Sequence, residues 1–306
     1  MRESEENRKT SAFMISACLF VILSCSLPEP ANAREDYFAP LKNRLISDGI
    51  PARTVYLAFE PQPAPHFRIV AQTLHMRESK LNYDQFLDSI SISRARRFAD
   101  RYQDTLNSAE KKYGVDQSVI VAILLVETQF GQYTGRVPTL AVLSTFALMD
   151  GESSRDRIWA MLSADDRRIL GREAFDRKLM DRARWAYQEV SALIRWTGTQ
   201  GRDPQSFHGS VMGAIGWPQF LPSSLVRYGV DGNGDGRVDL FQPQDAVFSV
   251  GNYLKEHGWS GQVDRASQEE VIYTYNKSRP YVLTILAIAD RIRPSERSRQ
   301  LSEAGR

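Results

Sequence analysis

Four short stretches carry residue types that could do chemistry together. The first, QSVIVAILLVETQFGQYTG over residues 117–135, sets one carboxylate, Glu127, directly after a run in which every residue from Val119 to Val126 is apolar. A helix that is apolar on all faces is buried on all faces. Burial disfavours an ionised carboxylate, and the negative end of a helix dipole acts in the same sense. Both effects favour a protonated acid near neutral pH, which suits a general acid. On this stretch alone, Glu127 could equally leave the last helical turn towards solvent.

The second stretch is GSVMGAIGWPQFLPSS, residues 209–224. Gly209, Gly213 and Gly216 let backbones approach closely. Trp217 and Phe220 are flat apolar faces interleaved with Ser210, Gln219, Ser223 and Ser224, a mixture that suits a sugar ring. A glycine-rich helix junction with a core tryptophan is the competing reading. The third stretch, DGNGDGRVDLFQPQD over residues 231–245, begins like an EF-hand loop. Asp231, Asn233 and Asp235 take its first, third and fifth positions, and Arg237 can offer a backbone carbonyl. Gln242 stands where a bidentate glutamate is usual, while Asp245 could close a longer loop. Such a loop predicts Ca²⁺ as a structural ion; a polar turn held by Asp and Asn side chains is the alternative. The fourth stretch, YTYNKSRPYVL over residues 273–283, gathers Tyr275, Asn276, Ser278 and Tyr281 at a helix start.

Helices must position these groups. Gly49 and Pro51 end a first predicted helix, Asp36 to Gly49. The prolines at 51, 61, 63 and 65 argue for an extended arm over residues 51–65. Phe98, Tyr102, Leu106, Ala109 and Tyr113 form a stripe at spacings of three and four, which predicts one helix from Ser93 to Tyr113. Gly114 stops it, and Asp116 can cap the helix that ends in Glu127. Further helices are expected over Ala141–Met149, Asp176–Thr197 and Pro280–Ile292, while Gln268–Thr274 reads as either strand or helix. Strand signals are few and short, so the fold class is mainly α.

The chain has 306 residues, 42% hydrophobic and 25% charged, with a net charge of +2. That is enough chain for one large or two small cores, and the balanced charge gives no footprint for nucleic acid. Arg2, Arg8 and Lys9 precede the apolar stretch Ala12–Leu27, and Ala31-Asn32-Ala33 follows as an A-x-A-like site. Residues 1–33 therefore read as a cleaved export signal. A lipid anchor on Cys25 is the alternative. Cys18 and Cys25 are the two cysteines of the chain, so after residue 33 disulfides, thiolate metal sites and cysteine nucleophiles are excluded. The expected organisation is a helical and extended arm over 34–92, a domain over 93–295 that carries the four stretches including the loop 231–245, and a disordered tail over 296–306. The four histidines show no metal-ligand spacing.

In order and spacing, the four stretches together resemble the B-type lytic murein transglycosylases. The resemblance starts near RRFADRYQDTLNSAEKKYGVDQSVIVAILLVETQFGQYTG and continues through GSVMGAIGWPQFLPSS, DGNGDGRVDLFQPQDAVFSVGNYLKEHGW and YNKSRPYVL. It implies a lysozyme-like helical domain with an embedded EF-hand-like calcium loop. It also implies one catalytic acid/base at Glu127 and a sugar site lined by Ser210, Gln219, Tyr253, Tyr275, Asn276 and Tyr281. The implied calcium ligands are Asp231, Asn233, Asp235, Arg237 and Asp245. The implied substrate is the peptidoglycan glycan strand, cut between N-acetylmuramic acid and N-acetylglucosamine by a periplasmic monomer. A water-using hydrolase with Asp150 or Glu152 as second carboxylate, and a non-catalytic calcium-stabilised wall-binding protein, remain as alternatives. The family's paired arginines after the helix downstream of the catalytic glutamate are not matched: Arg155 and Arg157 lie near, at a different spacing.

Overall fold

Helix punctuation in the sequence sets the order of elements. The computed structural model describes residues 36–74, 83–261 and 263–293. The export segment and the expected tail lie outside these residues. In chain order the helices are α1 Ala39–Ser47, α2 Ala52–Ala58, α3 Phe67–Thr73, α4 Ser89–Arg101, α5 Gln103–Tyr113, α6 Gln117–Thr128, α7 Thr139–Ala147, α8 Glu152–Met161 and α9 Ala164–Leu170. They continue as α10 Arg172–Gln200, α11 Pro222–Tyr228, α12 Pro243–Glu256, α13 Arg265–Tyr275 and α14 Arg279–Ile292. Two-residue strands, β1 Val137–Pro138 and β2 His208–Gly209, pair antiparallel with Val137 opposite Gly209.

Helix α6 is the hub of one cluster. The Asp116 carboxylate caps it by accepting from Ser118 N at 2.8 Å. Every residue from Val119 to Leu125 is at most 1% exposed. Burying side chains of this kind contributes about 1.5–3 kcal/mol each, so α6 has no solvent face to turn. Helices α4, α5, α12 and α14 enclose it. Helix α7 is the second hub: all nine of its residues are buried, and α10 and α3 cover it. Residues 37 onward form one unit, and the buried side chains of α1–α3 belong to the same core as those of α6. The expected 92/93 boundary falls inside α4.

Two expectations are corrected here and one open reading is resolved. The predicted helix Ser93–Tyr113 is two helices that bend at Tyr102, whose φ and ψ are −112° and 26°. The i to i−4 ladder runs on through the bend, from Tyr102 N to Phe98 O and from Leu106 N to Tyr102 O, which is why one stripe serves both helices. The arm 51–65 contains the two-turn helix α2, with Pro51 as its N-cap residue, where a missing N–H does no harm. The ambiguous segment 268–274 lies within α13, started by Asp264 accepting from Ser267 N.

Candidate active site

Glu127 occupies the last turn of α6 and is half-buried. Its Oε1 accepts a hydrogen bond of 2.7 Å from the Tyr281 hydroxyl. Tyr281 lies in the first turn of α14 and is 1% exposed. Burial, and next the Glu127 charge, push the Tyr281 phenol well above its usual range, so the hydroxyl keeps its proton and donates. Tyr275, at the end of α13, stacks parallel to Tyr281 with ring centroids 6.5 Å apart. Its phenol is raised for the same two reasons, and it donates at 2.6 Å to the carbonyl of Pro218. Two tyrosines thus tie the fourth stretch to the first and the second.

The turn after Glu127 is unusual. Gln129 and Phe130 both have left-handed φ, 49° and 60°, although neither is glycine. Gln219 is the third such residue among those described, at 51°. Each costs about 1–3 kcal/mol and persists only where its surroundings hold it. Thr128 holds part of this turn. Its Oγ1 donates to the Trp217 carbonyl at 2.9 Å and accepts from Gly131 N at 3.0 Å. Gly131 has φ 82°, and a Cβ there would stand 2.1 Å from the Trp217 indole nitrogen. The indole therefore rests on bare backbone.

The glycine-rich stretch folds as a series of tight turns. Ser210 Oγ accepts from Met212 N and Ala214 N at 3.2 and 3.1 Å. Gln219 Nε2 donates to the carbonyls of Gly216 and Thr134 at 2.9 and 3.2 Å, which joins this stretch to the loop after Glu127. Ser223 closes it: its N–H and Oγ both donate to Glu189 on α10, at 2.8 and 2.9 Å. Glu189 is 4% exposed, and burial raises its carboxyl.

Tyr253 stands one layer back. It is 8% exposed, its hydroxyl donates to Thr274 O at 2.9 Å, and its ring packs 4.8 Å from Tyr275 and 3.9 Å from His257. Asn276 is the C-cap of α13, two residues before Ser278, which caps α14 by accepting from Tyr281 N. Arg155 is occupied by Asp176 and the carbonyls of Met149 and Asp150. Arg157 lies over the rings of Tyr37 and Phe67.

The loop 231–245 is wrapped by its own carboxylates. Asp231 accepts from the N–H groups of Gly234, Asp235 and Gly236. Asn233 Nδ2 donates to Asp235 Oδ2 at 3.1 Å, and Asp235 Oδ1 accepts from Arg237 N. Asp245, fully buried in the first turn of α12, accepts from Gly232, Asn233 and Asp239 N–H. Burial raises its carboxyl above the usual range. Among the described residues, no three His, Cys, Asp or Glu side chains group as a metal cluster. The donors that Asp231, Asn233, Asp235 and Asp245 present are all hard oxygens.

Sequence reading missed Thr128, Arg94 and Phe98. Arg94 Nη1 donates to Gln129 Oε1 at 2.8 Å, and Phe98 stacks on Phe130. Phe98 reads only as the first residue of the apolar stripe, and Arg94 carries no signal.

The buried helix α6 thus delivers one acid beside a tight glycine-rich loop. Residues 33–267 match the transglycosylase SLT domain model, and the chain belongs to that family. The membrane-bound lytic murein transglycosylase B of Escherichia coli (strain K12) is 33% identical over 162 residues, which cover 53% of this chain and 37% of that protein's length. The soluble lytic transglycosylase SltB1 of Pseudomonas aeruginosa superposes with a TM-score of 0.65 at 23% identity, over 83% of this chain and 97% of that one. The Escherichia coli lytic transglycosylase Slt35 in complex with calcium gives 0.65 at 20% identity, over 84% and 92%. SltB3 of Pseudomonas aeruginosa, in complex with NAG-NAM-pentapeptide, gives 0.66 at 19% identity, over 85% and 80%.

Proposed function

We propose that this protein is a lytic transglycosylase that cuts peptidoglycan glycan strands between N-acetylmuramic acid and N-acetylglucosamine. The observation that carries this reading is the placement of Glu127. It lies at the end of a helix buried from Ser118 to Leu125, its Oε1 held by Tyr281, with the Trp217 turn bonded to the next residue.

The reaction needs one acid/base, because the nucleophile belongs to the substrate. Protonated Glu127 donates to the glycosidic oxygen, and the C1–O bond breaks. The substrate's own N-acetyl group can share the positive charge that develops. Glu127, now a carboxylate, takes the proton of the muramyl C6 hydroxyl, and O6 bonds to C1. The product is a 1,6-anhydro end, and Glu127 is protonated again. Acid/base assistance of this kind contributes roughly 10²–10⁴-fold. In this reading Ser210, Gln219, Tyr275, Asn276 and Tyr281 line the sugar site, and Tyr253 backs Tyr275.

A two-carboxylate hydrolase is less well supported. Asp150 pairs with Arg44 at 3.3 Å, and Glu152 starts α8. Both lie past the far end of α7, a helix about 14 Å long at 1.5 Å per residue. The test is mass spectrometry of digested cell wall. Muramyl ends lighter by one water are expected, and none from Glu127→Gln with an unchanged fold. Ordinary reducing ends would sink the reading in favour of hydrolysis, and saturable wall binding without soluble products would favour a binding protein.

We also infer that residues 231–245 take Ca²⁺, held by Asp231, Asn233, Asp235, the Arg237 carbonyl and Asp245. Oxygen donors of this kind suit it. The ion would fix the loop and take no part in bond breaking. A periplasmic location goes with this substrate, and residues 1–33 are the proposed export segment. Among the described residues, no helix is long and apolar enough to cross a membrane.

A further inference from the structure

We propose that α4 is a clamp that sets the acid, with Arg94 and Phe98 as positioning residues for Glu127; this rests on the catalytic reading of Glu127 above. The two residues that follow the end of α6 by one and two positions, Gln129 and Phe130, are both left-handed without being glycine. L side chains disfavour that conformation, and two in succession need support from outside the turn. One face of α4 supplies it. Arg94 Nη1 donates to Gln129 Oε1 at 2.8 Å. Phe98, one helical turn further on, stacks on Phe130 with ring centroids 4.3 Å apart and planes within 9°. A spacing of four puts both side chains on the same face, so each left-handed residue has its own holder.

The clamp reaches both halves of the site. The Phe98 ring is also 6.1 Å from the Trp217 ring. At the start of α4, its N-cap Asp88 fixes the helix by accepting from Ser91 N. Released from α4, the pair 129–130 relaxes towards right-handed or extended backbone and turns the last residues of α6. Glu127 then shifts against Tyr281 and Trp217. A misplacement of about 1 Å can lower a rate by roughly 10²-fold. Neither Arg94 nor Phe98 touches the reacting atoms; each acts through the turn.

A double-mutant cycle on the full chain tests this, with soluble uncrosslinked glycan strands as substrate and anhydro-end release as readout. Arg94→Ala and Gln129→Ala are each expected to lower kcat roughly 10- to 100-fold, with KM and melting temperature little changed. The double variant should be no slower than the slower single one, because both changes cut the same link. Arg94→Lys, which keeps a charged donor, should recover most of the rate. Wild-type kcat in Arg94→Ala, losses that multiply in the double variant, or losses that follow the melting temperature would each overturn the clamp. Glu127→Gln in the same assay separates the two readings. If it is inactive while Arg94→Ala is fully active, the clamp alone fails; if Glu127→Gln is active, both fall.

Discussion

The bond from Tyr281 to Glu127 fixes where the acid points. Because burial and the Glu127 charge hold the Tyr281 phenol well above its usual range, the tyrosine keeps its proton at neutral pH and donates. Tyr281→Phe keeps the buried ring and removes the 2.7 Å bond. Hydrogen bonds to charged groups are worth about 1.5–3 kcal/mol, and about 1.4 kcal/mol is tenfold in rate. The expected result is a fall in kcat of about 10- to 100-fold with the melting temperature nearly unchanged. A variant that turns over at the wild-type rate would show that the bond plays no part in the reaction. At this scale much was legible. The eight-residue apolar run announced the burial of its helix, whereas the half-buried Glu127 at its end could on that stretch alone have faced solvent. The roles of Gln129 and Phe130 were not legible, because nothing in the letters Q and F signals left-handed backbone. Nor did the tyrosines sort themselves: Tyr253 and Tyr275 look alike in sequence, yet one is packed behind the other.

At the scale of elements, the loop 231–245 bears directly on the Trp217 turn. Trp217 N donates to the Leu240 carbonyl at 2.9 Å, and a Cβ on Gly216 would stand 2.4 Å from Leu240 Cβ. Whatever firms the loop therefore firms the Trp217 turn. If Ca²⁺ binds, it stabilises the fold by mass action. Chelation should lower the melting temperature of the wild-type protein, and Asp235→Ala should abolish that response. A melting curve indifferent to both chelator and added calcium would remove the ion from the account. The D-x-N-x-D-G pattern made the loop visible in sequence, whereas its grip on Trp217 was not, because it runs through backbone atoms of Leu240. The bend at Tyr102 was hidden for a related reason: a stripe at spacings of three and four is the same for one helix or for two that share a ladder. Helix α2 was hidden by its prolines, which read as breakers although Pro51 sits where a helix starts.

For the whole molecule, buried tyrosines set the alkaline limit. Burial, and next the bond to Asp48, push Tyr187 up to about 12. Tyr253, Tyr275 and Tyr281 are raised as well, burial first. A group whose folded pKa lies above its unfolded value adds stability that is fully present below the unfolded value and is lost as pH rises towards the folded one. The unfolded value for tyrosine is about 10. Urea midpoints should therefore hold steady on this account up to about pH 10 and fall steeply above it. A midpoint that stays level through about pH 11 would contradict the assignment of these four phenols.

Helix α6 is sheathed on every side by α4, α5, α12 and α14. A part enclosed in that way can neither roll nor slide without opening the core. In the proposed reaction, adaptation to a long, stiff sugar polymer then falls to the other jaw, the glycine-rich turns between β2 and α11. The acid works as an anvil: the strand is brought to it, and only the hammer side yields.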